Sequence, residues 1–89
     1  MKVRRLSEEY LTELGYRIKL IRTYLKYDQK QLSQYLKTSQ SQLSRIESGK
    51  VEPSLYYLLM IKKLADSDDY LRENLSWSWF LEGRGKGVL

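Results

Sequence analysis

The chain contains no cysteine and no histidine. Without thiols it can form neither a disulfide nor a thiolate metal site, and without imidazole the usual zinc ligands are missing altogether. The commonest general base goes with them. A catalytic site would have to run on carboxylates, lysine or tyrosine, and no such cluster stands out. No enzyme activity, no metal and no cofactor are therefore expected. Long hydrophobic runs are lacking too. The longest, Leu55 to Ile61, is far short of a bilayer span. The opening residues MKVRRLSEEY carry no apolar run after their basic residues, which argues against a secretory signal. A soluble, cytoplasmic protein with no membrane partner is the expectation. Repeats, heptads, low-complexity tracts and a phosphate-binding glycine loop are also absent.

What is present is 89 residues, enough for one domain with one modest core. The formal charge of +5 is unevenly placed: residues 1–26 hold seven Lys/Arg against three Asp/Glu, whereas residues 54–89 hold five against five. A basic N-terminal part suits a polyanionic partner. Lys2, Arg4 and Arg5 lie in a short leading arm that can reach a phosphate or a minor groove.

The stretch Asp28 to Lys50, DQKQLSQYLKTSQSQLSRIESGK, reads as two short helices joined by a tight turn. Asp28 with Gln31, and Ser39 with Gln42, have the spacing of capping boxes, in which cap and third residue satisfy each other's free backbone N–H groups. Leu32, Leu36, Leu43 and Ile46 give each helix one inward stripe. The other face of the second helix holds Gln40, Ser41, Gln42, Ser44 and Arg45, with Arg45 its only full charge, and Gly49 marks its end. Before this stretch, Ser7 caps a helix carrying Leu11, Leu14, Ile18, Ile21 and Leu25 on one side. Gly15 within it marks either a bend or a close approach to another helix. After it, Gly49 to Pro53 is a loop. Ser54 caps a fourth helix with Leu55, Leu58, Ile61 and Leu64 or Ala65 inward. Tyr56, Tyr57, Leu59 and Met60 make that helix apolar on nearly all sides, so either the tail or another chain covers its second face.

The run LGYRIKLIRTYL at Leu14 to Leu25, the two-helix stretch and IESGKVEPSL at Ile46 to Leu55 together resemble the lambda-repressor-like (Cro/CI-type, XRE) family. The resemblance covers roughly residues 11–83, and Ile-Glu-x-Gly-Lys followed by Pro-Ser is its most specific piece. It implies an all-α, compact four- to five-helix bundle over residues 1–82, containing a helix-turn-helix at about 29–48, with a Gly-rich C-terminal tail at 83–89. It implies an ion pair between Arg22 and Glu47 that ties the first helix to the end of the recognition helix. It also implies that Gln29 contacts the DNA backbone and braces Gln40. The family commonly has glycine where Lys37 stands, since the backbone there tends to be left-handed, and alanine where Ser33 stands. WFLEGRG resembles the ending of phage-repressor-like proteins, in which a short fifth helix packs back on the domain.

A helix of this size fits the major groove with its N-terminal residues facing the base edges. Gln40, Ser41, Gln42 and Arg45 are the candidate base readers, glutamine toward adenine and arginine toward guanine. Ser39, Ser44 and Lys50, with Gln29, are the candidate phosphate contacts. Trp77, Trp79 and Phe80 form the candidate dimer or partner surface. Two tryptophans so close can serve the core, a seam or both; Trp79 and Leu81 are expected to face the domain, and Trp77 the seam. The expected function is sequence-specific transcription regulation, as a repressor that binds a palindromic operator in double-stranded DNA as a homodimer. The alternative is an antitoxin of the same fold, whose main partner is a protein such as a toxin.

Overall fold

Every helix starts on a serine or aspartate whose side-chain oxygen accepts the backbone N–H three residues on. The pairs are Ser7 with Tyr10 (3.1 Å), Asp28 with Gln31 (2.7 Å), Ser39 with Gln42 (3.0 Å), Ser54 with Tyr57 (3.2 Å), Asp68 with Leu71 (3.0 Å) and Ser76 with Trp79 (3.0 Å). Each cap satisfies a donor the helix itself leaves free. In the computed structural model, which describes residues 6–88, these caps open α1 (Glu8–Tyr24), α2 (Gln29–Leu36), α3 (Gln40–Glu47), α4 (Leu55–Asp66), α5 (Asp69–Asn74) and α6 (Trp77–Glu82). Lys2, Arg4 and Arg5 lie outside the described residues. There is no strand among those described, and no helix is long and apolar enough to cross a membrane. The fold is an all-α bundle in which α2 and α3 are the helix-turn-helix. The tail makes two short helices rather than one, because Asp68 and Ser76 each supply a further cap.

The ends of α1, α2 and α3 share one device. Tyr27 N–H reaches back to Arg22 C=O, Thr38 to Ser33 and Lys50 to Arg45, at 2.9–3.0 Å, around a residue in the left-handed region. That residue is Lys26 (φ 62°), Lys37 (φ 57°) and Gly49 (φ 80°) respectively. Lys37 therefore does adopt the left-handed backbone, at the steric cost its Cβ brings. Lys26 does the same, with no glycine in the sequence to announce it.

The core collects Leu14, Ile18 and Ile21 from α1, Leu32 and Leu36 from α2, Leu43 and Ile46 from α3, Ile61 and Ala65 from α4, then Leu71, Leu75, Trp79 and Phe80. α1 packs on α3 and α6, α2 on α3 and α4, and α4 on α5. Gly15 sits where α1 meets α3: a Cβ there would lie 2.4 Å from the Ile46 carbonyl oxygen and 2.6 Å from that of Glu47. Of the two readings open for Gly15, the structure shows the close approach. One inward assignment is corrected. Leu55 is 71% exposed, because it stands about 120° around α4 from Ile61.

Arg17 is the long-range tie that no local pattern announces. It is 8% exposed and closes α1 onto α6, its Nε donating to Phe80 C=O (2.8 Å) and its Nη2 to Leu81 C=O (3.1 Å). A cation at these last carbonyls is favoured by their unsatisfied lone pairs. Gly87 then rests on the Trp79 indole, too close for any side chain, and Val88 packs against the core.

Candidate nucleic-acid interface

The presented surface is the outer side of α3. Gln40, Ser41, Ser44, Arg45 and Ser48 are exposed and Gln42 is half-buried. Among the described residues, the side chains of Gln40, Gln42, Ser44 and Arg45 make no hydrogen bond, and Arg45 has no ion-pair partner. The second capping box is only half made: the Ser39 hydroxyl accepts the Gln42 N–H, but the Gln42 amide does not reach back to Ser39. At Asp28 both halves are present, with Asp28 N–H donating to Gln31 Oε1 at 2.9 Å. The Gln42 amide is consequently uncommitted, as a base-reading side chain must be.

Behind this face lies Glu47, the last residue of α3. Its carboxylate accepts from Arg22 Nε (2.7 Å) and Arg22 Nη2 (3.0 Å), and from Gln29 Nε2 (3.0 Å). Arg22 Nη1 donates in turn to Tyr27 C=O at 2.9 Å. The Arg22 and Glu47 side chains are 10% and 4% exposed. One carboxylate thus joins α1, the α1–α2 connection, the start of α2 and the end of α3. The fork of the guanidinium meets both its oxygens, a geometry that fixes orientation as well as distance. Among the described residues, no buried side-chain polar atom lacks a partner.

Gln29 differs from what the resemblance implies. Its amide turns inward to Glu47 and makes no bond to Gln40, because the buried carboxylate has a lone pair that water reaches poorly. Beside it is a shallow depression of about 250 Å³ lined by Lys19, Gln29, Ser44, Glu47 and Ser48. The structure therefore brings Gln29 and Ser44 together and adds the exposed Lys19, which the sequence reading missed. Its signal was available: Gly15, Lys19 and Arg22 have i, i+4, i+7 spacing, so they share the side of α1 that meets α3. Lys50 lines a different depression with Leu6, Glu8, Leu11 and Thr12, and Ser48 borders both. Ser39 stands at the head of α3. Its hydroxyl accepts the cap bond and approaches Ser41 Oγ at 3.4 Å.

Of the candidate aromatic surface in the tail, Phe80 at 0% and Trp79 at 7% exposed are corrected to the core, Trp79 facing the domain as expected; Arg17 bonds the Phe80 and Leu81 carbonyls beside them. Only Trp77, at 40%, remains outside. It stacks on Phe80 at 5.9 Å, and Lys62 Nζ sits 5.6 Å from its ring centroid.

A family model described as a helix-turn-helix domain matches residues 15–85 of the chain. No curated protein sequence matches it.

Proposed function

The chain belongs to the Cro/CI-type helix-turn-helix domain family, and from that premise we propose that it is a sequence-specific, DNA-binding transcription regulator acting as a homodimeric repressor. The observation that carries this reading is the outer side of α3, where the Gln40 and Gln42 amides, the Ser44 hydroxyl and Arg45 have no partner among the described residues. A surface meant only for water would carry mixed lysine and glutamate there. In the major groove, Gln40, Gln42 and Arg45, with Ser41, meet base edges; glutamine pairs with adenine N6/N7 and arginine with guanine O6/N7. Ser39, Ser44 and Lys50 lie toward the phosphates with Lys19, and Gln29, whose amide is held by Glu47, has only its backbone N–H at the start of α2 to offer there. These contacts position the helix without reading sequence. Two recognition helices read two half-sites about 34 Å apart, hence a palindromic operator. Repression follows from excluding polymerase at that site. The family is one of regulators rather than enzymes, and the protein acts in the cytoplasm without a cofactor.

The test is selection from random duplex DNA at about physiological salt, because non-specific binding is strongly salt-dependent. A palindromic motif with half-sites one turn apart is expected. No enrichment at any salt would overturn the reading. The antitoxin reading draws on the exposed apolar side chains of α4. Co-purification of a second small protein with the chain would favour it.

A further inference from the structure

One side of α4 is left open. Leu55 is 71%, Tyr56 50% and Leu59 49% exposed, while Ile61 and Ala65 on the opposite side are buried. At 3.6 residues per turn, Leu55, Tyr56, Leu59 and Lys63 fall within an arc of about 100°. The tail does not cover this arc. Trp77 meets α4 only at the edge of this arc, over Lys62, which stands about 20° around the helix from Leu55 and is held by Asp66 at 2.7 Å; Leu55, Tyr56 and Leu59 stay exposed beside it. Two exposed charges bracket the apolar strip: Glu52 before the helix and Lys63 at its far end. Neither has an ion-pair partner among the described residues.

We propose that this face of α4 is the seam between two copies of the chain, related by a twofold axis. The proposal rests on the dimeric DNA-binding reading and locates its interface. In a twofold contact, residue i of one copy meets j of the other and j meets i. Two α4 helices crossing antiparallel place Glu52 of each copy beside Lys63 of the other, with Leu55, Tyr56 and Leu59 between. The same crossing sets the positive end of each helix against the negative end of its mate. A parallel crossing would oppose like charges at both ends. The strip is thus complementary to itself, a property that docking a foreign protein does not require. Three partly exposed side chains fall well short of the about 800 Å² per partner of a standard interface. The pair is accordingly weak in free solution, and adjoining half-sites complete it by holding two copies at high effective concentration.

Sedimentation of the full chain over a concentration series tests this, with wild type, Glu52→Lys, Lys63→Glu, the double reversal and Leu59→Glu. Thermal melts check that the variants, all at exposed positions, stay folded. Each single reversal turns two attractive pairs into two repulsive ones and is expected to weaken dimerisation about tenfold. The double reversal restores it to within about threefold, and Leu59→Glu abolishes it. On DNA, the single variants bind one half-site like wild type but lose cooperativity on two. A double reversal no better than the singles overturns the proposal. So does a wild type that stays monomeric both free and on paired half-sites, or that binds another protein through Leu59. Sedimentation without DNA reads the seam alone, so pairing through α4 without any sequence preference would remove the DNA-binding reading and leave the seam standing.

Discussion

Replacing Arg22 with alanine strands one buried charge. The Glu47 side chain is 4% exposed and takes two of its three bonds from Arg22, at 2.7 and 3.0 Å. Gln29, the remaining donor, is neutral. Removing one partner of a buried ion pair costs about 3–5 kcal/mol, chiefly because the other charge stays buried without compensation. Arg22 itself keeps 10% exposure, so water can enter the gap and the lower end of that range applies, about 3 kcal/mol. A domain of this size has a total stability of about 4–13 kcal/mol, and each kcal/mol moves its midpoint by about 4–8 °C. The expected loss in Tm is therefore about 12–24 °C, read by circular dichroism. The explanation makes a second demand. Arg22→Met with Glu47→Leu removes both charges, and it should recover most of the loss, because an apolar pair of similar volume replaces a buried ion pair at little cost. DNA affinity should stay reduced in that double variant, since the fork that fixes the angle of α3 is gone. A Tm shift under about 4 °C for Arg22→Ala would reduce the pair to an exposed one worth at most about 1 kcal/mol. A double variant as unstable as the single would refute the stranded-charge reasoning.

Other substitutions probe the remaining supports. Gly15→Ala gains up to about 1 kcal/mol in helix propensity but drives a Cβ to 2.4 Å from the Ile46 carbonyl oxygen. A net loss of about 1–3 kcal/mol in chemical denaturation is expected, and a neutral or stabilised protein would mean that α1 and α3 are not in backbone contact. Lys37→Gly relieves the left-handed backbone at φ 57° and should raise stability by up to about 1 kcal/mol; a fall in Tm would show that the lysine side chain itself is needed there. Arg45→Ala should weaken one selected site by about 1–3 kcal/mol and leave non-specific binding nearly unchanged. Equal loss on every sequence in a filter or anisotropy titration would make Arg45 a phosphate contact.

Several of these supports are legible in the sequence, and others are not. The caps at Ser7, Asp28, Ser39 and Ser54 and the inward stripe of Leu32, Leu36, Leu43 and Ile46 follow from spacings of three and four residues, which a helix converts directly into neighbours. Gly15 carried its signal as an unexplained glycine in a helix, yet a bend and a close approach look the same in sequence. Leu55, a first-turn leucine three residues before Leu58, fits an inward pattern and yet is exposed. Its exposure follows from its place about 120° around α4 from Ile61, the residue that the packing buries.

By itself, then, the sequence determined the first four helices and the caps that start them, the helix-turn-helix and the polar character of its second helix. All of these rest on interactions within a few residues. Tertiary structure decided what lies far apart in the chain. It brought Arg17 to carbonyls 63 and 64 residues away and put Phe80 in the core. It gathered Arg22, Gln29 and Glu47 into one buried cluster and aimed the Gln29 amide at Glu47 rather than Gln40. It also left Leu55, Tyr56 and Leu59 uncovered. A residue type states what a side chain can bond to, but which partner it finds depends on how the helices pack. That packing is set by the whole core at once.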